Sequence, residues 1–215
     1  LVFTGDEFAD GGEIIANTLA KNKVNASFFL TGRFYDNPNF KNIITKLKKN
    51  GNYLGAHSND HLLYADWKSR NTTLISKEVF NTDLSKNYLA MEKFGVKKQD
   101  AKYFLPPYEW HNQEIANWTA DMGLQLVNFT PGTRSNADYT YPEMGNSYRS
   151  NEEIYQSILN YEKANSLNGF MLLLHIGTDP RRVEKFYDKL PELIKYLKDF
   201  GYELVKINEL LDQER

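Results

Sequence analysis

Short, continuously apolar runs alternate with amphipathic stretches along most of the chain. The runs at 1–3, 26–30, 53–54, 103–105, 124–127 and 170–174 are too short for helices. They are apolar at consecutive positions, as strands covered on both faces are. Between them apolar residues recur three or four apart: Ile15 with Leu19, Ile75 with Val79, Leu84 with Tyr88 and Met91, Ile154 with Ile158, and Leu190 with Ile194 and Leu197. Each series predicts a helix with one buried stripe. Gly51, Gly95, Gly123, Gly169 and Gly201 each stand between a polar helical stretch and the next apolar run, and Asn22 holds the same place before Val24. These positions read as helix ends, where the chain adopts positive φ. Strands and helices alternating at this spacing predict an α/β fold with a mostly parallel sheet, open or closed into a barrel, with room for about seven units. The stretch 129–149 lacks periodicity and holds Pro131, Gly132, Asn136, Pro142, Gly145 and Asn146, so it is expected to be a long ordered loop.

The residues that follow each run carry the candidate chemistry. Run one leads into Asp6 and Glu7, run two into Thr31-Gly32-Arg33, and run three into His57. Run four leads into Pro106-Pro107-Tyr108, run five into the loop with Asp138, and run six into His175. Parallel α/β proteins place their ligand at the carboxyl ends of the strands, so these side chains are expected to converge on one mouth. The local signal is His57-Ser58-Asn59-Asp60-His61. Imidazoles four residues apart share one face of a helical turn and can bind one cation. A carboxylate from another strand end would complete two nitrogens and an oxygen, leaving coordination positions for water. Such water has a lowered pKa, and the cation polarises a carbonyl, so hydrolysis is the expected chemistry.

Composition narrows the partners. The 215 residues, 41% of them hydrophobic, suffice for one full core, and one domain over 1–215 is expected. A formal net charge of -2 without a basic run offers no footprint for nucleic acid. No apolar stretch approaches the ~20 residues that span a bilayer, so the chain is expected to be soluble as made or to have lost a leader. The chain has no cysteine, which leaves His, Asp and Glu as metal ligands. Aromatic residues make up 14%, compatible with stacking on sugar rings or with ordinary packing.

Taken together, several segments resemble the polysaccharide deacetylase family, the NodB-homology carbohydrate esterases. Ala26-Ser27-Phe28-Phe29-Leu30-Thr31-Gly32 resembles that family's A-T-F-F-x-x-G strand, and His57-Ser58-Asn59-Asp60-His61 its H-S/T-x-x-H motif. Leu105-Pro106-Pro107-Tyr108 resembles its R-x-P-Y segment, and Leu172-Leu173-Leu174-His175 its L-x-L-x-H ending. The order matches from Val2 to beyond His175. The resemblance implies a distorted (β/α)7 barrel, a divalent ion, and removal of acetyl groups from N- or O-acetylated polysaccharide or oligosaccharide. Zn2+ is the default ion, and Co2+, Ni2+ and Fe2+ suit the same ligands. By resemblance, His57 and His61 are imidazole ligands and His175 is the acid that protonates the leaving group. The Tyr108 N–H stabilises the oxyanion, Asp138 orients His175, and Leu173 lines the acetyl pocket or belongs to the core. An exported protein is expected, since family members act on extracellular polysaccharide.

The first motif departs from the family, which has two adjacent aspartates: a base, then a metal ligand. Here the chain reads Phe3-Thr4-Gly5-Asp6-Glu7. Counting back without gaps from Ala26 puts Asp6 on the ligand and Gly5 on the base, while the competing register makes Asp6 the base and Glu7 the ligand. The arginine that pairs with the family's base is Leu105 here. Losing both members of an ion pair is coherent, because either charge left alone and buried is costly. Glu7, Glu109 and Asp138 remain candidates for the base. Arg134 could replace the missing positive charge or face solvent, Trp110 could stack on sugar or pack, and His111 reads as structural or sugar-contacting.

Overall fold

The computed structural model describes residues 1–212. β1 (Val2–Gly5), β2 (Ser27–Leu30), β3 (Tyr53–Ala56), β4 (Tyr103–Phe104), β5 (Gln125–Leu126) and β6 (Leu173–His175) form one sheet. The order is β5-β4-β3-β2-β1-β6, and each of these pairs is parallel. Around it lie α1 (Gly12–Asn22), α2 (Gly32–Asp36), α3 (Lys41–Lys49), α4 (Lys77–Glu92), α5 (Gln113–Asp121), α6 (Asn151–Asn165), α7 (Leu190–Asp199) and α8 (Ile207–Leu211). Phe3, Phe28, Phe29, Leu30, Phe104, Leu173 and Leu174 are buried in the central strands, the expected outcome of their unbroken apolar character. Among the described residues, no helix is long and apolar enough to cross a membrane.

Among the described residues β5 and β6 are the two edge strands and do not pair, but the chain past β5 reaches the segment before β6. Past β5, the Thr130 N–H donates to Met171 O at 3.1 Å, and the Met171 N–H returns to Thr130 Oγ1 at 3.0 Å. A seventh run at 202–205 joins no strand among the described residues. Tyr202 bonds elsewhere: its N–H donates to Leu197 O at 3.0 Å, and its hydroxyl accepts from the Leu167 N–H at 2.9 Å.

Two local expectations are corrected. The left-handed residue ending α1 is Lys23 (φ 54), because Asn22 is still helical and bonds back to Thr18 O at 2.8 Å. Ile75 and Val79 do not form the stripe of α4: Ser76 caps that helix by accepting from the Val79 N–H, which leaves Ile75 outside it and Val79 exposed. The buried face of α4 is instead Phe80, Leu84, Tyr88 and Met91, interrupted by Asp83 and Asn87.

Those two polar residues hold the chain that leaves β3. Asp83, only 4% exposed, accepts from the Asn59 N–H at 2.9 Å and the Asp60 N–H at 3.0 Å. Asn87, fully buried, accepts from the His57 N–H at 2.9 Å and donates to Leu30 O at 3.2 Å. A carboxylate receiving two backbone donors satisfies groups that no strand or helix serves. Asp83→Ala is therefore expected to lower stability by about 2–4 kcal/mol in urea unfolding, with Asp83→Asn costing less because one acceptor oxygen survives.

Candidate functional site

His57 and His61 meet, but not on a helical turn. The segment between them is a loop in which Ser58 (φ 70) and His61 (φ 54) are left-handed, held by Asp83 and by the Ser58 hydroxyl, which accepts from the His61 N–H at 3.0 Å. The rings lie 5.1 Å apart between centroids. His57 Nδ1 is 2.7 Å from Leu105 O, and a carbonyl can only accept, so Nδ1 carries the proton and Nε2 keeps its lone pair. Burial, with the nearby His61, pushes the His57 pKa down to about 3. Burial likewise takes His61 down to about 4, against the attraction of Asp6. Both rings are therefore neutral near pH 7, the form that binds cations.

Asp6 emerges at the end of β1, between this loop and α2. The Thr31 hydroxyl caps α2 by accepting from the Phe34 N–H at 3.1 Å and donates to Asp6 Oδ1 at 2.9 Å. Arg33 binds the same carboxylate with Nε on Oδ1 at 2.5 Å and Nη2 on Oδ2. Burial raises the Asp6 pKa, but the bonds from Arg33 and Thr31 and the charge of His61 outweigh it and leave it lowered. Gly32 allows this arrangement, since a Cβ there would stand 2.0 Å from Asn59 Oδ1.

These donors fit a divalent cation in kind: two neutral imidazoles and a carboxylate. In position, Asp6 Oδ2 and His61 Nδ1 stand 4.0 Å apart. Two donors about 2.1 Å from one ion at ordinary angles are about 3.0–3.5 Å apart. Among the described residues, no three His, Asp or Glu side chains are gathered tightly enough to hold an ion as they stand. Arg33, bonded to both oxygens of the Asp6 carboxylate, holds it in this position.

On the opposite wall, His175 ends β6 and its Nδ1 bonds Asp138 Oδ1 at 2.6 Å, while the His175 N–H donates to Asp138 Oδ2 at 2.9 Å. Burial disfavours the imidazolium, but the charge and hydrogen bond of Asp138, joined by the charge of Glu109, raise the His175 pKa above its ordinary value. The long loop that carries Asp138 is pinned by Arg182, which is fully buried. Its guanidinium donates to Thr140 O, to Arg149 O at 3.0 Å and to Asn151 Oδ1 at 2.7 Å.

Asp6, His57, His61 and His175 line one cleft of about 550 Å³ together with Thr4, Glu7, Trp67, Tyr108, Glu109, Tyr139 and Arg181. Tyr108 is left-handed (φ 58) and its ring packs 4.4 Å from that of His61. The Tyr108 N–H donates to no acceptor among the described residues. Glu109 follows, also left-handed (φ 53), and burial pushes its carboxyl up to about 7, with His175 opposing and Asp138 adding to the rise. The Thr4 hydroxyl is buried without a partner among the described residues. Gly5 is enclosed: a Cβ there would meet Ile176 at 2.5 Å, Leu30 at 2.8 Å and Phe34 at 3.1 Å.

The site thus gathers Asp6, His57, His61, Tyr108 and His175, with Asp138 behind His175. Glu7 lies exposed on the rim, 4.0 Å from Arg33. Arg134 is exposed, and the positive charge beside Asp6 comes from Arg33. Leu173 is fully buried and does not line the cleft. Trp110 packs under Trp67, with Arg70 4.3 Å over its ring, leaving Trp67 as the exposed platform. His111 lies outside the cleft, and its carbonyl accepts from Arg70. Asp83, Asn87 and Arg182 escaped the sequence reading, and Arg33 was expected at the mouth but not on Asp6; the polar breaks in the α4 stripe were the available signal for the first two.

Residues 7–127 match the family model described as polysaccharide deacetylase. The Bacillus subtilis protein YlxY, described as uncharacterized, is 29% identical over 198 residues, which are 92% of this chain and 52% of that protein. The chain thus spans about half the length of this curated relative. Among solved structures, the Bc1960 peptidoglycan N-acetylglucosamine deacetylase superposes with a TM-score of 0.76 at 20% identity, over 98% of this chain and 87% of that one. BA3943 from Bacillus anthracis, a CE4 family pseudoenzyme, superposes with a TM-score of 0.69 at 20% identity, over 100% of this chain and 66% of that one. At these identities the structures establish the shared fold.

The raised pKa of Glu109 has a consequence for stability. Between the ordinary value of 4.5 and about 7, the folded chain binds this proton more tightly than the unfolded one. Its contribution to stability therefore declines as pH rises through that window, and above it the buried carboxylate is a burden. Glu109→Gln is expected to stabilise the protein by about 1–3 kcal/mol at pH 8, from ~1.4 kcal/mol per pKa unit reduced by hydration of the cleft. No gain is expected at pH 4. Thermal melts at the two pH values check the sign.

Proposed function

The chain belongs to the polysaccharide deacetylase family, and from that premise we propose that it hydrolyses acetyl groups from N- or O-acetylated polysaccharide or oligosaccharide. The observation that carries this reading is the meeting, in one cleft, of a His175–Asp138 pair with Asp6, His57 and His61. Asp6, His57 and His61 would hold a divalent cation, Zn2+ by default, with Co2+, Ni2+ or Fe2+ compatible. When bound, the cation would polarise the acetyl carbonyl and lower the pKa of water.

The chain's own residues supply the rest. The unspent Tyr108 N–H is available to the oxygen on which negative charge develops. Asp138 fixes the proton of His175 on Nδ1 and favours the imidazolium, so Nε2–H can protonate a departing amine or alkoxide. Trp67, Tyr108 and Tyr139, all exposed, offer flat apolar faces to sugar rings. Action on an extracellular polysaccharide by an exported protein accords with this chemistry.

A second reading rests on the Arg33–Asp6 pair and on Gly5: the chain binds acetylated saccharide without turning it over. Acetate release separates the two. On the deacetylase reading, acetate is released from N-acetylated chitooligosaccharides or acetylated xylan, is suppressed by a chelator, and falls at least ~100-fold in His57→Ala. Saccharide binding without acetate favours the second. Arg33→Gln frees Asp6 and is expected to tighten Zn2+ binding by ~10-fold or more in calorimetry, since a charge-assisted bidentate contact no longer competes. Unchanged affinity would show that Arg33 and the cation do not share the carboxylate.

A further inference from the structure

Hydrolysis of an acetyl group needs two proton movements, one off the attacking water and one onto the leaving atom. His175 with Asp138 serves the second, and the first requires another group in the cleft. Asp6 is engaged by Arg33 and Thr31. Asp179 is chelated by Arg181, with Nε at 2.9 Å and Nη2 at 2.6 Å. Glu7 sits in solvent on the rim. Like all three, Glu109 lines the cleft, but of the four carboxylates it is the one that makes no hydrogen bond or ion pair with the described residues.

The backbone is arranged to keep it there. Consecutive left-handed residues at 108 and 109 are sparsely populated for side-chain-bearing residues and persist only where their surroundings enforce them. Here the Glu109 N–H donates to Pro106 O at 3.0 Å, the Trp110 N–H to Pro107 O at 3.2 Å, and Asn128 Nδ2 to Glu109 O at 2.8 Å. An independent sign of a missing partner is the Thr4 hydroxyl, buried and unbonded in the same cleft, on the strand residue registered with His175. A buried hydroxyl and a half-buried carboxyl, neither with a partner among the described residues, in the cleft that His175 lines are the surroundings a reactive water needs.

We propose that Glu109 is the general base of this site, taking a proton from the water that attacks the acetyl carbon, an assignment that rests on the deacetylase reading. As the water oxygen bonds to carbon, one of its protons passes to the Glu109 carboxylate, and the carbonyl π pair moves onto oxygen beside the Tyr108 N–H. Re-formation of that carbonyl breaks the bond from carbon to the leaving nitrogen or oxygen. The leaving atom keeps the electron pair and takes the proton of His175. Acetic acid departs and loses its remaining proton to solvent. Transfer of the proton on Glu109 to neutral His175 restores both groups. The raised pKa of each suits the exchange: Glu109 is affected by burial, His175 and Asp138, and in turn affects Tyr139, while Arg182 opposes the charge on His175.

The test compares wild type, Glu109→Gln and Glu109→Asp, each supplied with Zn2+, on N-acetylated chitopentaose. Acetate release by Glu109→Gln is expected to fall by ~100-fold or more in kcat with KM nearly unchanged, and the acidic limb of the kcat/KM profile should disappear. Nuclear magnetic resonance titration of His175 gives a readout independent of turnover: removing the facing carboxylate is expected to lower its pKa. Wild-type turnover with Glu109→Gln within a few-fold of it and the acidic limb intact would overturn the base while leaving the deacetylase reading in place. Absence of acetate from wild type would sink both. If Glu109→Gln fails to melt cooperatively, Glu109→Asp decides: a ~10-fold lower kcat with the limb retained supports the base, and full activity overturns it.

Discussion

β1, β2 and β3 are paired so that Gly5, Leu30 and Ala56 lie side by side, and the chain beyond each strand emerges at the same height. Asp6, Thr31 and His57 are neighbours for this reason alone. Parallel pairing in this register places a carboxylate, a hydroxyl and an imidazole together at the carboxyl edge of the sheet. Everything else at the site refines their aim. Asp83 and Asn87 reach from α4 to hold the loop after β3, so a helix packed behind the strands sets where His61 lands.

The electrostatics of the cleft are divided between its walls. On one side, burial keeps His57 and His61 uncharged, and the guanidinium of Arg33 stands beside Asp6. On the other, Asp138 favours the protonated form of His175. A neutral imidazole pair can donate lone pairs, whereas an imidazolium can donate a proton. The same residue type is therefore biased in two directions, according to whether a carboxylate stands behind the ring. Asp6 is the contested element, because one carboxylate cannot offer its best geometry to a bidentate guanidinium and to a metal ion at once.

Much of this was legible from sequence because the relevant residues come directly after apolar runs. Asp6, His57 and Tyr108 follow strands and His175 ends one, and the strands were plain from their mainly apolar runs, broken at Ser27 and Gln125. The pairing of Asp138 with His175 was suggested by family resemblance, and the long loop brings it about. The local shape of 57–61 was not legible: spacing of four residues suggests a helical turn, and two left-handed residues achieve the same proximity differently. Asp83 and Asn87 read as interruptions of an apolar stripe, since nothing local reveals which backbone donors a buried polar side chain will meet. Arg182, and the partner that Arg33 takes, were opaque for a related reason. A long side chain chooses its partners in three dimensions, and Arg182 reaches groups 31–42 residues away in the chain.

The packing around Gly5 bears on how such a cleft can change over time. The space where a side chain at this position would begin is already filled by Ile176, past β6, and by Leu30 and Phe34, at the end of β2 and in α2. A single exchange at residue 5 therefore meets crowding from several directions and gains no open room for a charged group. Any side chain at residue 5 would first have to displace the ends of Ile176, Leu30 and Phe34, so the floor of the cleft at the first strand is set by packing and its polar lining comes from the loops that follow the strands.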